Sequence, residues 1–193
     1  LRSFDKSDPR KKKAELIVDE VGRLERILRM MTAYIAPKHI RLVRSDLNAV
    51  VTEAIEAIRA RFENSDFAVR TKLDGELPKI HVDSNMFKNV LVNLMNNAFY
   101  RMKEKGEIEV STRQNGDYAI IEMTYHVPYI SDDDIEHFFY PFVVDYPFPK
   151  DIRDKDMIDV PVARVVVHKH GGIINVRKEG ENTVRITISL PLE

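Results

Sequence analysis

The sequence predicts an α+β protein, a two-layer α/β sandwich over 38–193 preceded by one long helix within 1–37. Three observations carry the prediction. Apolar residues hold a heptad spacing up to Pro37 and lose it afterwards. Beyond that point, short runs of period two alternate with strong runs of period 3.6. Some strand runs follow one another directly, one pair across Asn115 and Gly116, which favours antiparallel neighbours with helices gathered on one side.

Residues 8–36 read as a single amphipathic helix, opened by Ser7, Asp8 and Pro9 as cap and first turn and closed before Pro37. Its apolar positions Ile17, Val21, Leu24, Leu28, Met31 and Ile35 are spaced 4, 3, 4, 3, 4, the seam of a coiled coil or helical bundle. One helix cannot bury such a seam alone. Either it folds back on its own domain, or it meets a partner helix, from upstream in the same polypeptide or from a second subunit.

After Pro37, residues 40–43 read as a strand, and Asp46 caps a helix with an apolar face of Leu47, Val50, Val51, Ala54, Ile55, Ile58 and Phe62. Strands are expected at 67–73 and 79–82, then a helix at 84–103 with Met86, Phe87, Val90, Leu91, Leu94, Met95 and Ala98 on its apolar face. Two more strands, 107–112 and 118–123, flank the Asn115-Gly116 turn. A loop of about thirty residues precedes a helix at 160–168, and strands at 173–177 and 184–190 end the chain.

An apolar share of 44% in 193 residues is enough for a real core, which argues against disorder. With 30 Lys and Arg against 31 Asp and Glu, no global field points to nucleic acid or to acidic membranes. The absence of cysteine excludes a disulfide framework, a thiolate zinc site and a Cys nucleophile, and suits a reducing cytoplasm. No apolar run approaches the roughly 20 residues that span a bilayer. The expectation is a cytoplasmic module, with any membrane sensor lying upstream of Leu1.

Four stretches, read together, carry a family resemblance. Residues 8–37 include Val21, Arg23, Leu24, Glu25, Arg26 and Ile27, and lead into Ser45, Asp46, Leu47 and Asn48. Residues 77–98 contain Leu77, Pro78, Asp83, Phe87, Val90, Leu91, Asn93, Leu94, Asn97 and Ala98. Phe139, Tyr140, Pro141 and Phe142 follow an acidic turn at Asp132 to Asp134. Val160 to Arg164 precede His170, Gly171 and Gly172, and Leu190, Pro191 and Leu192 end the last strand. In this order and spacing the chain resembles the transmitter of two-component sensor histidine kinases: the second helix of the dimerisation hairpin at 1–37, then the Bergerat-type ATPase domain shared with gyrase, Hsp90 and MutL at 38–193. The resemblance implies ATP and magnesium as ligands, with Asn93 and Asn97 in the N box, Asn97 on the metal, and Arg101 either meeting a phosphate or standing as an exposed helix arginine. It implies a homodimer along the seam from Ile17 to Ile35, and a response regulator or another histidine kinase as partner.

The same alignment exposes what has been lost. The family's adenine-binding Asp falls on Tyr125, and the two glycines after it fall on Val127 and Tyr129. Side chains there are expected to lie where the nucleotide should, and neither residue readily takes positive φ. The lid glycines fall on Met157 and Asp159, and Asp159 is placed to cap the helix at 160 with its own charge where a triphosphate would dock. Of 7 glycines, none lies between Gly116 and Gly171. None of His39, His81, His126, His137, His168 and His170 falls where the family's phosphoacceptor sits, and His168 with His170 lacks a ligand pattern for metal. The expectation is therefore a degenerate transmitter, a pseudokinase with no cofactor. The alternatives are an active ATP-dependent kinase whose target His lies upstream, and a kinase-derived phosphotransfer adaptor.

Overall fold

The computed structural model describes residues 40–140, apart from 64 and 104, and 160–193, together with Lys13, Ala14, Ile17, Val18 and Val21, which are helical. Among the described residues, seven strands form two sheets. A small antiparallel pair joins β1 (Val43–Ser45) to β3 (Ile80–Val82). The main sheet has the order β2-β4-β5-β7-β6, built from β2 (Asp66–Lys72), β4 (Lys105–Asn115), β5 (Tyr118–His126), β6 (Ile173–Glu179) and β7 (Thr183–Pro191). The β2–β4 pair is parallel and the others are antiparallel.

The helices are α1 (Leu47–Arg61), α2 (Ser84–Arg101), α3 (Asp132–Glu136) and α4 (Val160–Lys169). Asp46 caps α1 by accepting the Ala49 N–H at 3.2 Å, and Asp83 caps α2 by accepting the Met86 N–H at 3.1 Å. Helix α2 packs against both α1 and α4, which makes it the hub of the helical layer. Strand alternation supplies the other half of the core: Ile108 and Val110, Ala119, Ile121 and Met123, and Val184, Ile186, Ile188 and Leu190 are all buried against the helices. Each such Ile or Leu contributes roughly 1.5–3 kcal/mol of transfer free energy.

Helix α4 ends in a Schellman turn. Gly171 takes φ +71, its N–H donates to the His168 carbonyl at 2.9 Å, and the Gly172 N–H donates to the Val167 carbonyl at 3.0 Å.

Two elements depart from the sequence reading. The first strand lies at Val43–Ser45 rather than 40–43, because its partner among the described residues is a three-residue strand and pairing, not local composition, sets its limits. The acidic stretch at Asp132–Asp134 is the first turn of a helix. Ser131 and Asp134 form a capping box there, the Ser131 N–H donating to Asp134 Oδ2 at 2.9 Å and the Asp134 N–H to Ser131 Oγ at 3.0 Å. The remaining described elements match the expected order, with ends displaced by a few residues.

Candidate functional site

The last two turns of α2 carry the polar residues of interest. Asn93 and Asn96 are buried, at 3% and 0% exposure, and Asn97 is half-buried. Both polar atoms of the Asn96 amide and the Asn93 Nδ2 lack a hydrogen-bond partner among the described residues. Asn96 escaped sequence reasoning because only the i, i+4 pair of Asn93 and Asn97 was weighed, although Asn96, three residues after Asn93, shares its side of the helix. A third Asn in the same turn was the available signal.

Arg101 is neither an exposed helix arginine nor a residue poised in open solvent. It is 6% exposed, its Nε–H donates to Asn97 Oδ1 at 3.0 Å, and its guanidinium carbon lies 4.9 Å from the centre of the Phe138 ring. The i, i+4 spacing on one helix makes the Asn97 bond possible. Phe138 follows α3, so the arginine ties the N-box helix to the acidic turn. Asp134 belongs to the same neighbourhood. The Ser131 hydroxyl holds its carboxyl below the ordinary range, opposed by burial and aided by the Ser131 N–H and the Arg101 charge.

A divalent cation on Asn97 Oδ1 would share that oxygen with the Arg101 Nε–H. A magnesium ion at about 2.1 Å from Oδ1 would sit no more than about 5.1 Å from Arg101 Nε, given the 3.0 Å hydrogen bond.

Tyr125 lies opposite Ile108 and Val184 on the core-facing side of β5, and is 2% exposed. Val127 is buried as well, at 5%, and its N–H donates to the Asn182 carbonyl at 2.9 Å. Tyr129 points outward, at 76% exposure, so of the two side chains expected to fill the pocket only Val127 packs inward. Neither residue has positive φ; Lys103 is the only non-glycine that does among the described residues. Met157 and Asp159 lie outside the described residues, as do the seam positions Leu24, Leu28, Met31 and Ile35. Ile17 and Val21 are exposed at 64% and 48%.

His170 is buried and fully engaged. Its Nε2 accepts the Asp83 N–H at 3.0 Å, and its Nδ1 meets the Val166 carbonyl at 2.8 Å, which places the ring proton on Nδ1. The ring also stands edge-on to Phe87 at 5.6 Å. It links the end of α4 to the cap of α2. His168 is exposed and takes no part in this link. Among the described residues there is no group of three or more His, Cys, Asp or Glu that could hold a metal ion. None of the described helices is long and apolar enough to cross a membrane.

A mixed five-stranded sheet covered on one face by helices, with an asparagine-bearing helix at the centre of that layer, is the architecture of the ATP-binding domain of histidine kinases. Comparison with known proteins agrees. Residues 82–193 match the family described as histidine kinase-, DNA gyrase B- and HSP90-like ATPase, and the chain belongs to that family. It is 26% identical to the sensor histidine kinase ZraS of Salmonella typhimurium strain LT2 over 181 residues, 93% of this chain and 37% of that protein. The chain thus spans little more than a third of its curated relative. Among solved structures, histidine kinase ThkA in complex with response regulator protein TrrA superposes with a TM-score of 0.74 at 20% identity, covering 98% of this chain and 53% of ThkA. Acinetobacter baumannii histidine kinase AdeS gives 0.69 at 18% identity over 100% of this chain and 89% of AdeS. At these identities the structures attest the fold alone.

Proposed function

We propose that the chain is a degenerate two-component transmitter, a pseudokinase that keeps the sandwich fold and acts through protein contacts rather than ATP turnover. The observation that carries this reading is the burial of Tyr125 in the core, with the Arg101 bond to Asn97 Oδ1, which engages the oxygen assigned to magnesium, beside it. Tyr125 and Val127, buried where the adenine carboxylate and a pocket glycine would stand, support it. In this reading Asn93, Asn97, Arg101 and Tyr125 are the remnants of a nucleotide site, 1–37 is half of a dimerisation hairpin and 38–193 the ATPase-like domain. The exposed Ile17 and Val21 support dimerisation through the seam. The partner is a response regulator or another histidine kinase; the fold shared with ThkA, which was solved with a response regulator, supports that assignment.

A second reading keeps the chain as an active ATP-dependent kinase acting on an upstream His. The observation in its favour is the pair of buried amides, Asn93 and Asn96, with donor groups that a bound ligand would satisfy. Titration of the whole chain with ATP and magnesium, followed by calorimetry, separates the two. Loss of the adenine carboxylate and the phosphate glycines weakens binding on the order of a thousandfold or more. A micromolar dissociation constant would overturn the pseudokinase reading.

A further inference from the structure

We infer that the exposed edge of β1 is a docking site for an extended acidic segment of a partner protein, which joins the β1–β3 pair as a further strand. The face is made by residues 41–45 with His81, and the inference does not depend on whether the α2 site binds a nucleotide.

Arg41, Leu42, Val43 and Arg44 are all exposed, Leu42 at 48% and Val43 at 49%. Val43 sits opposite the fully buried Val82, so the core stops short of β1 and leaves an aliphatic side chain uncovered at its rim. The backbone here is already held extended: the Arg41 N–H donates to Asp83 Oδ2 at 3.1 Å, and Val43, Arg44 and Ser45 pair with Val82, His81 and Ile80. A partner therefore meets an ordered edge and avoids part of the usual entropy loss. Among the described residues β3 is the only strand beside β1, and its other edge can take one more.

Charge selects the occupant. Neither the Arg41 nor the Arg44 side chain has a hydrogen bond or ion pair among the described residues, and His81, opposite Arg44, is exposed as well. The neighbouring carboxylates are engaged by backbone: Asp83 accepts the Arg41 and Met86 N–H groups, and Asp46 accepts that of Ala49. The β1 of a second copy is a poor occupant, because its own arginines would run against these, and like charges opposite one another destabilise a strand pair. A lipid surface can meet the cations and the aliphatic side chains but offers no strand to the backbone edge. A strand that alternates carboxylates with aliphatic side chains meets all three.

The test uses the whole chain and a fluorescent peptide, Glu-Val-Glu-Val-Glu-Val with blocked ends, followed by anisotropy. Binding at about 1 mM or tighter is expected, and it should weaken as sodium chloride rises from about 0.05 M to about 0.5 M. The double variant Arg41→Glu with Arg44→Glu should weaken it at least about tenfold. Both side chains are exposed, so that variant should melt with the wild type. If it does not fold, the Lys-Val-Lys-Val-Lys-Val peptide on the wild type makes the same comparison, and equal affinity for the two peptides refutes the inference. The peptide Glu-Val-Glu-Pro-Glu-Val keeps the charge but lacks a ladder donor, and should bind more weakly; equal affinity would reduce the edge to a charged patch and overturn the added strand. No peptide binding overturns it too, whether the chain instead binds vesicles of phosphatidylcholine with phosphatidylserine or associates with itself through the two arginines. ATP and magnesium have no part in these measurements. Failure here leaves the pseudokinase reading untouched, and a tight nucleotide complex leaves this inference standing.

Discussion

Restoring the adenine carboxylate by Tyr125→Asp is expected to cost the fold more than it returns to the site. Tyr125 is 2% exposed, so nearly all of its side chain is withdrawn from water. An aromatic side chain buries 150–250 Å², which at about 25 cal/mol per Å² is about 4–6 kcal/mol, an upper estimate because the unfolded chain is itself partly collapsed. Aspartate recovers little of that area and adds a carboxylate opposite Ile108 and Val184, where neither neighbour can pair with it. Against a total stability of roughly 5–15 kcal/mol, the loss is severe. Urea unfolding followed by circular dichroism is the assay, with Tyr125→Phe as control. The control keeps the ring and should lose no more than about 1.5 kcal/mol. If Tyr125→Asp lost less than that and gained adenine nucleotide binding, Tyr125 would be a plug in an otherwise working pocket, and the account of it as a core residue would be wrong.

Two other perturbations follow from the same region. Replacing Asn96 with Leu removes a buried amide with no partner among the described residues, and should raise stability by about 1–3 kcal/mol, read as a higher urea midpoint at unchanged slope; a lower midpoint would sink the idea. The Asp134 carboxyl is held below its ordinary value in the folded state, so the stability it adds is complete above the unfolded value of about 3.9 and drains away as pH falls through the lower folded one. The stability gap between wild type and Asp134→Asn should therefore be wider at about pH 6 than at about pH 3; a gap that does not change with pH would contradict the assignment.

The helices and most strands were legible because local signals agree with the tertiary outcome. Asp46 and Asp83 each precede an apolar face of helical period, and Asn115 with Gly116, at φ +58, turns one strand into the next. Helix α3 was not legible. It is five residues long and buries none of them, so no periodicity exists to read, although Ser131 followed three residues later by Asp134 is a cap signature. The limits of β1 depend on a partner nearly forty residues away. In the site, Asn93 and Asn97 could be chosen from spacing and resemblance. Arg101 could be named as well, but its contact with Phe138 could not, because it joins segments that no local pattern connects. Tyr129 shows the complementary limit: a bulky residue at a glycine position need not fill the pocket, since the backbone after Val127 turns its side chain to solvent.

The single parallel pairing in the sheet has a consequence for the order of assembly. Strands β4 and β5 meet through a two-residue turn and can zip locally, but Asp66 reaches Lys105 only after β3 and the whole of α2 have been laid down between them. The chain is expected to build outward from the β4–β5 hairpin, with the β2 edge docking last. Mutations in β2 should accordingly accelerate unfolding while leaving the refolding rate nearly untouched, and a slowed refolding rate would reverse that order.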